Sequence, residues 1–183
     1  MRKRTVALLL LVTLTAFFLT GCSSFNTKTS FMIDEKGMMD IEISLRADKL
    51  MAENEAKTFI WGILNSFPEL QNNYSMTKET KKIDYDEYIY YTFETEKKID
   101  SSYHKYISFN EESDGIYRFE LKIPALLSEV SQSEEDTRAF TISVTLPEEI
   151  DISNSRNVEG NKATWAIYYH ELTDETVLKA LTA

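Results

Sequence analysis

Few side chains in this sequence have the types and spacing that enzymatic chemistry requires. The chain of 183 residues has one cysteine, Cys22, and two histidines, His104 and His170. Neither histidine lies in a nucleophile motif such as Gly-x-Ser-x-Gly, and His170 and Glu171 would point to opposite faces of a strand rather than to one zinc ion. The acidic pairs lack the spacing of a Ca²⁺ loop, and the five glycines are too scattered for a phosphate-binding loop. We therefore expect no enzyme activity, no metal and no cofactor.

The sequence around Cys22 suggests a different kind of chemistry. Three basic residues at positions 2–4 precede an apolar run from Val6 to Leu19, a pattern typical of a secretory signal peptide. The tetrad Leu19-Thr20-Gly21-Cys22 resembles the lipobox of bacterial lipoproteins, in which the cysteine is acylated and becomes the mature N-terminus. The alternative is an uncleaved membrane helix with a chance cysteine. We predict that residues 1–21 are a signal peptide and that Cys22 carries the lipid anchor, a palmitate-type modification.

A diacylglyceryl anchor would decide where the rest of the chain works. Each buried methylene contributes about 0.8 kcal/mol, and more than one acyl chain gives stable attachment. The small and polar residues that follow predict a lipidated tether over residues 22–29, and residues 30–183 suit one domain. The predicted location is therefore the extracytoplasmic side of the cell membrane, with the membrane as the first partner.

The charge of the chain excludes one class of partner. It has 30 acidic and 20 basic residues, and loss of the signal peptide, with its three bases and no acids, takes the net charge from −10 to −13. Nucleic-acid binding needs a positive face for phosphate contacts, so we expect no nucleic-acid partner. With Cys22 acylated, no cysteine remains for a disulfide or a thiolate site.

The first structural elements predicted are a hairpin and a helix. Residues 31–45 alternate apolar and polar around a turn in which Gly37 needs positive φ. Asp48 can cap a long amphipathic helix that ends before Pro68. Its apolar stripe is formed by Ala52, Ala56, Phe59, Ile60, Ile63, Leu64 and Phe67. Trp61 lies off that stripe, either as a partly buried edge residue or as part of a binding surface.

The segment Glu87 to Glu96 predicts a strand with apolar or aromatic side chains on both faces. Tyr88 and Tyr90 point one way, and Tyr91 and Phe93 point the other. Such a strand is either covered on two sides or presents tyrosines to a ligand. A lysine-rich edge strand is predicted before it, because lysines discourage further strand pairing.

The rest of the chain predicts further strands, together with short helical turns at residues 99–106 and 124–130 and a final helix that Asp174 could cap. These elements give an α+β fold: a mainly antiparallel sheet of about seven or eight strands, with one long amphipathic helix packed on it after the first hairpin.

The stretch from Phe140 to Ala166 is similar to the LppM-like domain of bacterial lipoproteins. In that family, a strand ending in Leu-Pro is followed by a Ser-Asn pair, a Gly-Asn turn and a tryptophan strand. The matching positions are Leu146, Pro147, Ser153, Asn154, Gly160, Asn161 and Trp165. The resemblance implies an envelope-anchored α+β domain that handles lipids or glycolipids, and it brings no catalytic residues.

Two functional hypotheses follow. In the first, an aromatic-lined groove between the helix and the sheet binds a lipid, a glycolipid or a similar amphiphile through Trp61, Tyr88 and Tyr90. In the second, the protein is a structural or assembly module that binds another envelope protein through the strand around Tyr88 to Phe93.

Overall fold

The computed structural model describes residues 26–48, 73–84, 86–130 and 136–183. Most of these residues lie in β-strands that form two sheets. Within the described ranges, the only helical segments are two short 3₁₀ helices, Ser101–Tyr103 and Tyr169–Leu172.

Eight strands build the larger sheet. They are β1 (Asn26–Ile33), β2 (Met38–Asp48), β3 (Tyr74–Ile83), β4 (Asp86–Thr95), β5 (Ile99–Asp100), β8 (Arg138–Thr145), β10 (Asn157–Glu159) and β11 (Lys162–Tyr168). Their order is β10-β11-β8-β1-β2-β4-β3, and β5 pairs with the first residues of β2.

Four strands build the smaller sheet, in the order β6-β7-β12-β9. They are β6 (Ile107–Ser113), β7 (Ile116–Ile123), β9 (Ile150–Ser153) and β12 (Thr176–Thr182). The central pair, β7 and β12, is antiparallel, with Phe119 opposite Ala180. Alternation of apolar and polar residues explains β7, because every second side chain is buried.

The core between the sheets is aromatic and aliphatic. Phe119 of β7 is fully buried, and its ring centroid lies 6.5 Å from that of Trp165 in β11. Because these strands belong to different sheets, this contact joins the two layers. Turn glycines complete the hairpins: Gly37, Gly115 and Gly160 all have positive φ. The prediction for Gly37 is therefore confirmed.

The described residues fall into two compact units. Unit 1 contains residues 26–27, 42–48, 73–84 and 86–97, and unit 2 contains residues 28–41, 98–130 and 136–183. Unit 1 consists mainly of β3, β4 and the second half of β2. Unit 2 contains the smaller sheet with β8, β10 and β11.

The predicted α+β class is wrong, because the described chain is a two-sheet β structure. A second sheet, rather than a helix, covers the apolar face of β8 and β11 in unit 2. Asp48, predicted as a helix cap, is the last residue of β2. The rest of the predicted helix, residues 49–67, lies outside the described residues.

The predicted C-terminal helix is also wrong. Residues 176–182 form β12, which pairs with β7 on one side and β9 on the other. Leu178, Ala180 and Thr182 are buried with a period of two. The apolar residues in this short segment fit a helix and a strand equally well, and pairing with two neighbouring strands decides for the strand.

The two other short helices also differ from prediction. Residues 99–106 contain β5 and a 3₁₀ turn, and residues 124–130 contain no helix. In the latter segment, the backbone N–H groups of Leu126 and Leu127 both donate to the carbonyl of Leu172. These tertiary hydrogen bonds tie the segment to Leu172, the last residue of the second 3₁₀ helix.

The start of β1 bears on the predicted tether. Strand β1 begins at Asn26, so residues 26–29 of the predicted tether belong to the larger sheet. Only Ser23, Ser24 and Phe25 separate Cys22 from the first strand.

Candidate functional site

The candidate site lies on strand β4 in unit 1, whose two faces differ. Tyr91 is fully buried and Phe93 is nearly so, whereas Tyr88 and Tyr90 are half-buried on the opposite face. The buried face is completed by Leu45 of β2, which lies opposite Tyr91. Alternation along the strand therefore presents Tyr88 and Tyr90 on the side away from the packed residues.

Each of these two tyrosines has a cation over its ring. The guanidinium carbon of Arg46 lies 4.8 Å from the ring centroid of Tyr88, and the ammonium of Lys81 lies 5.2 Å from that of Tyr90. Both cations come from neighbouring strands, because Tyr90 lies opposite Arg46 of β2 and Glu79 of β3. We call the side of the sheet formed by Arg46, Glu79, Lys81, Tyr88 and Tyr90 the tyrosine face.

Arg46 has a donor that no described residue uses. Its Nε is buried, and within the described part of the chain no acceptor bonds to it. A buried donor without a partner costs about 1–3 kcal/mol, more when the group is charged. Such a group marks a place where a ligand oxygen would be bound favourably.

Lys81 is held in a different way. Its ammonium forms a salt bridge of 2.9 Å with Glu79 on the same strand. The hydrogen bond and the charge of Glu79 raise the pKa of Lys81, so the lysine stays protonated over the physiological range. Because both side chains are more than half exposed, this pair orients the cation and adds little stability.

The tyrosine face thus combines aromatic area with two cations. Tyrosine rings offer an apolar body and a hydroxyl, which suits the boundary between an acyl chain and a polar head. An arginine with an unused donor can bind a phosphate or carboxylate oxygen by a charge-assisted hydrogen bond. The arrangement can bind an anionic amphiphile, and it contains no nucleophile with an adjacent base.

The structure places only part of the predicted site. Tyr88 and Tyr90 lie side by side on one face, whereas Cys22 and Trp61 lie outside the described residues. Sequence reasoning missed Arg46 and Lys81 as members of the site. The signal was their position: both lie in strands adjacent to β4 and share the alternation that exposes Tyr88 and Tyr90.

Unit 2 contains a cavity near the β1–β2 turn. It has a volume of about 290 Å³ and is lined by Glu35, Lys36, Gly37, Asp100, Ser101, Ser102, Phe109, Asn110 and Glu111. Among the described residues, no three side chains of the metal-binding types are placed to hold an ion. The carboxylate of Asp100 already accepts a hydrogen bond from the backbone N–H of Ser102, and Glu111 from that of Gly115. The lining carboxylates therefore stabilise turns.

The residues that carried the family resemblance form a structural network in unit 2. Asn154 accepts hydrogen bonds from the indole Nε1 of Trp165 and the backbone N–H of Lys179, at 3.0 and 2.9 Å. Its amide donates to the carbonyl of Val177 at 2.7 Å. The side-chain amide of Asn161 donates to the carbonyl of Leu146. The Asn154 side chain thereby links Trp165 of the larger sheet to β12 of the smaller one.

One further observation concerns the membrane. In the portions of the chain that the structure describes, no helix is long and apolar enough to cross a bilayer. Cys22, the predicted acylation site, lies outside the described residues.

No protein-family model matches the chain, and no curated protein matches it. Among solved structures, the chain is similar to the NMR structure of the folded domain of the LppM protein from Mycobacterium tuberculosis, with a TM-score of 0.41 and 10% sequence identity. The match covers 86% of this chain and 88% of that domain. The similarity is distant, concerns the fold alone, and assigns no ligand or activity.

Proposed function

We propose that this protein is a non-enzymatic envelope lipoprotein, anchored through Cys22 on the extracytoplasmic side of the cell membrane. Its tyrosine face binds an amphiphile with an anionic head. The anchor rests on the lipobox-like tetrad that ends at Cys22. The ligand rests on one observation: the Arg46 guanidinium lies over Tyr88 with a buried Nε that no described residue accepts from.

The chemistry of the face supports an anionic head and an apolar tail. A cation over a tyrosine ring is positioned by the ring quadrupole, and its N–H groups remain available for an oxygen. The exposed parts of the Tyr88 and Tyr90 rings supply apolar contact for the first methylenes of a tail. A neutral polar ligand would supply no anionic acceptor for the buried Nε of Arg46.

The test is a binding titration with the mature chain carrying Cys22→Ser. Vesicles of phosphatidylcholine with increasing phosphatidylglycerol serve as the probe, and tyrosine and tryptophan fluorescence and amide shifts as the readout. Saturable shifts on Tyr88, Tyr90 and Arg46 are expected only with the anionic lipid. Arg46→Gln and Tyr90→Ala should each weaken binding about tenfold, which corresponds to ~1.4 kcal/mol.

A matched control exists in unit 2. The ammonium of Lys105 lies 4.7 Å from the ring centroid of Tyr106, which makes a cation–aromatic pair outside the tyrosine face. Tyr106→Ala should leave binding unchanged. Equal losses in Tyr106→Ala and Tyr90→Ala would show that binding is not specific to the tyrosine face. The absence of any saturable change would favour the second hypothesis, an assembly module that binds an envelope protein through β4.

A further inference from the structure

The start of β1 limits how far the folded domain can lie from its anchor. Cys22 is four residues before Asn26, the first residue of the sheet. A chain spans at most 3.3–3.6 Å per residue, so these four steps reach no more than about 14 Å whatever their conformation. The sheet therefore begins within the depth of the lipid headgroup region or just above it.

Strand directions show which side chains lie at this end of the sheet. Strands β1 and β2 form a hairpin closed by the hydrogen bond from the backbone N–H of Asp34 to the carbonyl of Met38. The end of β2 therefore returns to the start of β1. Strand β4 is antiparallel to β2, with Tyr90 opposite Arg46 and its first residues beside the end of β2.

The tyrosine face consequently lies at the anchored end. Two strand spacings, about 10 Å, separate Asn26 and Thr27, the first residues of β1, from β4 across the sheet. Lys81 is close to the same end, because it lies opposite Tyr88 in the pairing of β3 with β4. All these residues belong to unit 1.

We infer that this end of the sheet faces the membrane in which Cys22 is anchored, and that the tyrosine face binds phosphate-bearing lipids of that same leaflet. The inference rests on the proposed function and adds the source of the ligand and the orientation of the sheet. Tyrosine side chains are enriched at membrane interfaces, and arginine and lysine place their cations among the headgroups while their stems remain in apolar surroundings.

The overall charge of the protein explains why the anchor is needed for this contact. The carboxylates of Asp84, Asp86 and Glu87 lie near the β3–β4 turn at the same end, and a chain with 30 acidic residues is repelled by an anionic surface. A short tether overcomes this repulsion, because it keeps the site at an effective lipid concentration on the order of millimolar. The anchored protein should therefore bind leaflet lipid that the untethered chain binds only weakly.

The experiment uses the full acylated protein in nanodiscs that contain phosphatidylglycerol. Acylated Cys22 is the only cysteine in the sequence, so one introduced cysteine can be labelled selectively. Ile83→Cys places a fluorophore at the anchored end, and Glu96→Cys places one just beyond the opposite end of β4; both native side chains are exposed. A β-strand of ten residues separates these ends by roughly 30 Å. Lipids spin-labelled on the headgroup act as the quencher.

The fluorophore at position 83 should lose most of its fluorescence. The fluorophore at position 96 should show no quenching above background. A flexible Gly/Ser insertion of about twenty residues after Phe25 should remove the difference, because such a linker has a span of about 25 Å. Equal quenching at both positions in the native chain, or stronger quenching at 96, would overturn the orientation.

Failure of the orientation can be told from failure of the proposed ligand. Suppose that quenching at position 83 persists in Arg46→Gln and that the Cys22→Ser chain shows no saturable lipid binding. The proposed ligand is then wrong, and the proposed orientation stands. If the Cys22→Ser chain binds lipid saturably but the anchored protein shows no quenching at position 83, the proposed orientation is wrong and the proposed ligand stands.

Discussion

Two regions of the molecule treat polar side chains in opposite ways. In unit 2, both the oxygen and the nitrogen of the Asn154 side-chain amide are hydrogen-bonded, and the buried indole N–H of Trp165 has its acceptor. In unit 1, the Nε of Arg46 and the hydroxyl of Tyr91 are buried without a partner among the described residues. The Asn154 network of unit 2 holds strands together, whereas these two polar groups of unit 1 make no hydrogen bond within the described part of the chain.

This difference separates structural from functional residues better than residue type does. Asn154 and Trp165 belong to the family-like pattern of the sequence, and their hydrogen bonds show a structural role. Arg46 belongs to no sequence motif, yet its buried Nε has no acceptor among the described residues and is available to a ligand oxygen. An unpaired buried group lowers stability, so it persists where a binding partner compensates for the cost.

The largest expected effect is at the centre of unit 2. Trp165→Ala removes a buried ring that contacts Phe119, and should lower the free energy of unfolding by about 3–5 kcal/mol. Tyr90→Ala, on the tyrosine face, should cost about 1 kcal/mol or less, because that ring is only half-buried. Urea denaturation of the Cys22→Ser chain measures both. Equal losses would contradict the distinction between the two regions.

A smaller loss is expected when the hydrogen-bonding side chain is removed and the indole is kept. Asn154→Ala leaves the indole N–H of Trp165 and the N–H of Lys179 without their acceptor, and should cost about 1–3 kcal/mol. Asn110 provides the control, because its exposed side-chain amide donates to the nearby hydroxyl of Ser108. Asn110→Ala should change stability by no more than about 0.5 kcal/mol. If the two variants unfold at the same urea concentration, the network has no structural role.

A gain in stability is expected at the hydroxyl of Tyr91. Tyr91→Phe removes a buried hydroxyl that has no partner and keeps the ring, so stability should rise by about 1 kcal/mol. Tyr106→Phe serves as the control, because the Tyr106 hydroxyl accepts a hydrogen bond from Lys105 and its removal brings no gain. A loss of stability in Tyr91→Phe, measured by thermal and urea melts, would show that the hydroxyl is satisfied and would weaken the contrast.

The smallest effect concerns an exposed ion pair in the β1–β2 turn. The hydrogen bond from Lys98 lowers the pKa of Asp34 below its ordinary value of 3.8, and backbone N–H groups of the turn add to this. A lowered carboxyl pKa stabilises the fold above 3.8, and this contribution is lost as the pH falls through the lowered pKa. Asp34→Asn keeps the acceptor for Lys36 and Met38 and removes the charge.

Near neutral pH, the urea midpoint of the wild-type chain should therefore be higher than that of Asp34→Asn by a small, constant amount. The difference should disappear once the pH lies below the lowered pKa of Asp34. A difference that persists in strong acid would show that geometry, rather than charge, is responsible. Because neither Asp34 nor Lys98 is part of the tyrosine face, Asp34→Asn should leave lipid binding by the Cys22→Ser chain unchanged.

Much of the strand structure could be predicted from local sequence. Strand β7 follows directly from alternating apolar residues, and the β1–β2 hairpin from alternation around Gly37. The division of β4 into a packed face and a tyrosine face also follows from its period of two. The lipobox-like tetrad around Cys22 is likewise a local pattern, and its acylation remains a prediction. These features depend on residues within a few positions of each other.

Long-range pairing decided the rest. The segment that forms β12 has no local preference strong enough to exclude a helix, and its strand conformation comes from hydrogen bonds to β7 and β9. The positions of Arg46 over Tyr88 and of Lys81 over Tyr90 depend on the register of β2 and β3 against β4, which separate stretches of sequence establish only on folding. The sequence by itself determined which residues alternate and where the chain turns. The tertiary structure decided which strands meet, because pairing energy arises between segments that are distant in the chain.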